Sequence, residues 1–122
     1  MVKLNDKRKV LNMKGALDMF STESRYITCG IKEKLHEELQ RFVWMSVDLQ
    51  NAFYEDEMDY LQVFTFRKIG EDILAITQSQ EKPSKEITHF TLYKPEYEMI
   101  LDKKVYVIDD GEHSTMLFAE EY

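Results

Sequence analysis

One stretch, KEKLHEELQRFVWMSVDLQNAF at residues 32–53, constrains the fold more than any other. Leu35, Leu39, Phe42, Ser46, Leu49 and Phe53 recur there at three- and four-residue steps, widened by Val43 and Trp44. Steps of that size return to one side of a helix. Glu33, Glu37, Arg41, Asp48 and Asn51 fall on the opposite side. The spacing predicts one long amphipathic helix, and its apolar face needs a partner layer.

Strand-length segments supply that layer. SRYITCGI (24–31) alternates β-branched and aromatic residues with polar ones and reads as a strand. An acidic connector, YEDEMD (54–59), leads to YLQVFTFRKI (60–69), which is aromatic and β-branched. Gly70-Glu71-Asp72 reads as a hairpin turn, with ILAITQSQ (73–80) as the returning strand and a polar end. EKPSKE is a loop around Pro83, and ITHFTLY (87–93) is the next strand. Pro95 breaks it, EYEMILD is a short helical or irregular passage, and KKVYVID and STMLFAEEY close the chain as strands. The expected fold is α+β: a mainly antiparallel five- to six-stranded sheet with one long amphipathic helix packed on one face. Residues 19–122 form its single domain.

Residues 1–18 differ from the rest. They carry five basic and two acidic side chains, a net of +3, against eleven basic and twenty-one acidic, a net of -10, in 19–122. Lys14-Gly15-Ala16 can be encoded by a purine-rich ribosome-binding sequence a short way upstream of Met19. The leader therefore reads as a non-native extension with Met19 as the start; a basic arm or a docking helix are the alternatives.

Charge and composition exclude several classes. A net charge of -7 is the wrong sign for general phosphate-backbone binding, so direct nucleic-acid contact is disfavoured. Cys29 is the one cysteine, which excludes an internal disulfide and a four-cysteine zinc site and suits a reducing cytoplasm. No apolar run is long enough to cross a membrane.

The most eye-catching candidate is VIDDGEHSTMLF, residues 107–118, where Asp109, Asp110, Glu112 and His113 crowd between apolar runs. The spacing fits no EF-hand loop, and one local histidine is too few for a transition-metal site. Asp-Gly is a turn dipeptide, so the segment reads as a hairpin tip whose acidity can also serve recognition. The second polar segment, QSQE, offers Gln78, Gln80 and Glu81 as partner contacts; Ser79 there lacks a nucleophile elbow. His36, His89 and His113 are far apart in sequence, Cys29 reads as a packed strand residue, and Trp44 as core. No catalytic residue, metal ligand or cofactor is assigned.

Five blocks in order carry a resemblance: MFSTESRYITCGI (19–31), ELQRFVW (38–44), MDYLQVF (58–64), QSQEKP (78–83) and VIDDGEHSTMLFAEEY (107–122). Together they resemble an uncharacterised family of small proteins from Firmicutes, their phages and staphylococcal mobile cassettes, domain of unknown function nine-sixty. That family usually has arginine where Cys29 stands and a second proline where Ser84 stands. The resemblance implies a fold and a mobile-element setting but no mechanism. With the acidity, it leads to the expectation of a non-enzymatic protein-interaction accessory protein in the cytoplasm. Its partner would be an unidentified protein, in the sharper version a basic nucleic-acid-binding defence or repair protein blocked by charge mimicry. The rival classes are a small-ligand binder or enzyme using loops 78–83 and 109–113, and a nucleic-acid binder using the basic arm and an aromatic sheet face.

Overall fold

The computed structural model describes residues 2–3, 19–54 and 57–122. Most of the 1–18 leader, and with it the expectation about its origin or a basic arm, lies outside the described residues; so do Glu55 and Asp56 of the acidic connector. Its strands are β1 (Val2–Lys3), β2 (Arg25–Ile27), β3 (Leu61–Ile69), β4 (Ile73–Glu81), β5 (Ser84–Leu92), β6 (Lys104–Asp109) and β7 (Ser114–Phe118). The helices are α1 (Cys29–Lys34) and α2 (Glu37–Phe53), with 3-10 turns at Pro95–Ile100 and Ala119–Glu121.

The strands form one sheet in the order β1-β2-β7-β6-β3-β4-β5. Only β2–β7 is parallel among the described pairs. The α+β architecture and the mainly antiparallel sheet are as expected. Two-residue β1 makes the strand count seven rather than five or six.

Alternation assigns the two faces. Ile27, Met116, Phe118, Val105, Val107, Phe64, Phe66, Leu74 and Ile76 turn to one side and form the core with Ile31, Leu35, Leu39, Val43 and Val47. The other side carries Val63, Thr65, Arg67, Thr77, Thr88, Phe90 and Leu92, and no described helix packs on it.

The expected strand 24–31 is corrected. Only Arg25–Ile27 pair, and the chain turns into α1 at once because Thr28 caps it, its Oγ1 accepting from the Ile31 amide at 3.2 Å. Cys29 is therefore an exposed helix residue and not a packed strand residue.

The one long helix is present as α2, but it starts at Glu37 and not at residue 32, since 32–34 belong to α1. Leu35 is extended (φ -97°, ψ 116°), and His36 starts α2 with its Nδ1 accepting from the Glu38 amide at 3.2 Å. Gln40 Nε2 donates to the Leu35 carbonyl at 2.8 Å, satisfying a group the break would leave free. The buried face of α2 runs through Leu39, Val43, Ser46 and Val47, and Leu49 and Phe53 turn outward.

Candidate functional site

β3, β4 and α2 meet around a buried chain of carboxamides. Gln62, Gln78 and Gln80 share strand parity with Phe64, Phe66, Leu74 and Ile76, so they face the helix and are 1%, 3% and 7% exposed. Ser46 Oγ of α2 donates to Gln78 Oε1, Gln78 Nε2 donates to Gln62 Oε1 at 2.7 Å, and Gln62 Nε2 donates to Gln80 Oε1 at 2.8 Å. The chain ends on backbone: Gln62 Nε2 also donates to the Asp59 carbonyl at 2.9 Å, and Gln80 Nε2 to the carbonyls of Glu57 and Pro83, both at 2.8 Å. Burying three primary amides is tolerable only because nearly every donor is matched. The network pins the chain crossing from α2 into β3 against the start of β5.

Beside it opens a cleft of about 290 Å³, lined by Gln50 of α2 and Tyr54 just after it, by Met58, and by Lys85 and Ile87 of β5 among others. Lys85 Nζ sits 3.4 Å from the centre of the Tyr54 ring and 3.1 Å from Glu57 Oε1. Gln78 Nε2 keeps one N–H unspent, and no hydrogen bond engages the Gln50 side chain among the described residues. The cleft can therefore offer amide donors and one cation-covered ring to a small polar molecule.

The tip at 109–113 is a turn, as its residues suggest. Gly111 takes φ 99°, and Asp109 Oδ1 accepts from its amide at 2.7 Å. Asp110 Oδ1 accepts from the amides of Glu112 (3.0 Å) and His113 (2.9 Å), with His113 Nε2 3.1 Å from Asp110 Oδ2. Those amides, His113 first, hold the Asp110 carboxyl below its ordinary range. Asp109 also accepts from the Phe20 amide, and so ties the segment before β2 to the tip.

Tip and glutamines lie at the same end of the sheet, with β3 between them. Of the residues singled out from sequence, Gln78 and Gln80 line the cleft and Glu81 stands exposed near it. Asp109, Asp110, Glu112 and His113 do not line it. Gln62, which completes the carboxamide chain, was not singled out; its parity with Phe64 and Phe66 is the signal that reveals it.

The histidines do not converge. Each packs on a different ring: His36 on Tyr97, His89 on Phe42, His113 on Tyr26. Among the described residues no group of three or more His, Cys, Asp or Glu could hold a metal ion, and no helix is long and apolar enough to cross a membrane.

Many carboxylates of the acidic segments serve the fold. Asp59 accepts from the Leu61 and Lys82 amides at 3.2 and 3.0 Å. Glu57 pairs with Lys85, and Glu120 with Lys103 at 2.6 Å. Glu121 accepts from Thr28 Oγ1 and the Phe118 amide, both at 2.8 Å. In the interior, Arg25 chelates Asp48, donates to the Phe20 carbonyl at 2.8 Å and lies over Trp44, 4.5 Å from the ring centre.

One surface is left unspent. Met45, Leu49 and Phe53 follow one another at four-residue steps along the outer side of α2 and are 57%, 44% and 72% exposed. The three- and four-residue spacing predicts Leu49 and Phe53 on the packed face; within the unbroken α2 the side that meets the sheet follows the row Leu39–Val43–Val47 instead, and Leu49 and Phe53 lie beside it, exposed.

Comparison with known proteins settles the family. The profile of a staphylococcal protein of unknown function (DUF960) matches residues 24–121. The chain belongs to this family. Among solved structures it is similar to a protein of unknown function from Enterococcus faecalis, at 23% identity and a TM-score of 0.66, covering 81% of this chain and 90% of that one. That likeness extends to the fold alone. No curated protein matches the chain.

Proposed function

We propose that this member of the family is a non-enzymatic protein-interaction module. It is an accessory protein that acts in the cytoplasm by docking the outer face of α2 into an apolar groove on an unidentified partner protein. The exposed Met45–Leu49–Phe53 stripe carries this reading. An apolar i, i+4, i+8 row is the anchor pattern of a helix laid into a groove. Burying each side chain would contribute roughly 1.5 kcal/mol or more before ordering costs. The stripe ends with Phe53 at the C-terminal, negative end of the α2 dipole. The fitting groove therefore has a basic rim.

Charge mimicry of nucleic acid is the less favoured version, since Asp59, Glu57, Glu120 and Glu121 are engaged within the chain. Affinity capture with the tagged chain and its Leu49→Glu variant, at low and high salt, tests the reading. The expected result is a partner lost from the variant and held, more weakly, at high salt. A captured set that Leu49→Glu leaves unchanged would count against it, and steep loss with salt for both chains would favour mimicry.

The second reading is a small-ligand binder, favoured by the unspent amide groups of Gln50 and Gln78 in the cleft. Metabolite screening by thermal shift tests it: a stabilising compound whose effect vanishes in Gln50→Leu would support it.

A further inference from the structure

The last strand of the sheet leaves a row of backbone groups unpaired. β5 pairs with β4 on one side and has no neighbour on the other among the described residues. The Tyr93 amide donates to the Asp72 carbonyl at 2.8 Å, in the register that sets Leu92 opposite Ile73. Hydrogen-bonded and non-hydrogen-bonded pairs alternate along an antiparallel ladder. Odd-numbered residues of β5 therefore bond to β4, and Ser84, Glu86, Thr88, Phe90 and Leu92 point both N–H and C=O outward. None of those ten groups has a hydrogen bond to another described residue.

Protected edges are short, charged, interrupted by proline or bulged. β5 has nine residues, and Ile87-Thr88-His89-Phe90-Thr91-Leu92 carries no Asp, Glu, Lys or Arg. Its open-face side chains Phe90 and Leu92 are 64% and 67% exposed and adjoin Ile73 and, through it, Ile69.

We propose that this edge pairs with the same edge of a second copy, antiparallel about a two-fold axis at Thr88, joining the two sheets into one. This register is the one that engages every outward group: Thr88 faces Thr88 of the second copy, Glu86 faces Phe90, and Ser84 faces Leu92. It opposes no like charges, because Lys85 falls opposite Thr91 and Glu86 opposite Phe90. Threonine against threonine is itself a favourable cross-strand pair. Centring on Phe90 would use only three of the five outward residues, so backbone pairing selects Thr88. Each copy carries a net charge of -7, so added salt strengthens the association.

Sedimentation velocity on the full chain, from micromolar to millimolar and at low and high salt, tests this. The expected particle has twice the chain mass of 14.6 kDa and becomes more populated with concentration and salt. Thr88→Lys sets two lysines face to face and is expected to weaken the dimer at least about tenfold. Phe90→Lys sets a lysine opposite Glu86 and is expected to keep it. Native circular dichroism of both variants guards against unfolding. Amide exchange supplies a readout without mutation: the amides of Glu86, Thr88, Phe90 and Leu92 gain protection with concentration, and those of Ile87 and His89 are protected throughout. A monomer at every concentration and salt, or a dimer broken by Phe90→Lys and kept by Thr88→Lys, would overturn the proposal.

Discussion

Replacing Gln62 by leucine should expose how much of this fold depends on the carboxamide chain. The side chain is 1% exposed and makes three hydrogen bonds: to the Asp59 carbonyl, to Gln80 Oε1 and from Gln78 Nε2. Leucine has nearly the same volume and removes all three. Gln80 Oε1 keeps the Asp59 amide at 3.1 Å, so two groups are stranded, the Asp59 carbonyl and the Gln78 amide. A stranded buried group costs about 1–3 kcal/mol. Water in the adjoining cleft can reach Gln78, which holds that share near the low end, and leucine recovers roughly 1 kcal/mol of apolar burial. The net loss should be about 1–3 kcal/mol, or roughly 3–15 °C in Tm for a chain of this size. Urea denaturation read by Trp44 fluorescence, with thermal circular dichroism alongside, measures it. The control is Gln50→Leu, which alters the cleft without breaking a bond and should stay within about 0.5 kcal/mol of wild type. A Gln62→Leu chain as stable as wild type, or no less stable than Gln50→Leu, would refute the view that the network braces the crossing from α2 to β3.

Three further outcomes are expected. Leu39→Ala should cost about 2–4 kcal/mol and Leu49→Ala less than about 0.5 kcal/mol by chemical denaturation, since only Leu39 lies on the buried face of α2; equal losses would contradict the assigned helix phase. Gly111→Ala should cost about 1 kcal/mol, because alanine resists the φ of 99° although space is open there; an unchanged Tm would show that the turn relaxes freely. The Glu38 carboxyl is held low by its hydrogen bonds to Lys94 and Tyr97, and Glu120 by Lys103. A depressed carboxylate adds stability above its unfolded pKa that is lost as pH falls through the folded one, so an acid titration should show stability falling below about pH 4. Glu38→Gln should flatten that limb, and an unaltered acid profile would be the contrary result.

Much of the architecture can be read from residues alone. The period-two pattern of YLQVFTF and ILAITQSQ places β3 and β4 within a residue or two of their ends, and Gly70 and Gly111 mark turns where φ is 64° and 99°. The same parity, carried through polar residues, puts Gln62, Gln78 and Gln80 inside. They read as surface only because glutamine is usually solvated. The helix was harder. Residues 37–53 hold two four-step apolar rows, Leu39–Val43–Val47 and Met45–Leu49–Phe53. Both rows have the same period, so which one meets the sheet is decided by packing against the strands and not by periodicity. The tip was legible as a turn, but its tie to Phe20 joins residues 89 apart in sequence and follows from topology.

The central claim is that the outer stripe of α2 receives a partner, and site-specific photo-crosslinking tests it most directly. A photoreactive phenylalanine analogue would replace Leu49 in one chain and Thr65, on the open sheet face, in another. Both chains would be irradiated in a lysate of the native host. The account expects a discrete adduct from position 49 and none from position 65. An adduct from position 65 with none from position 49 would contradict it and move the functional surface to the sheet.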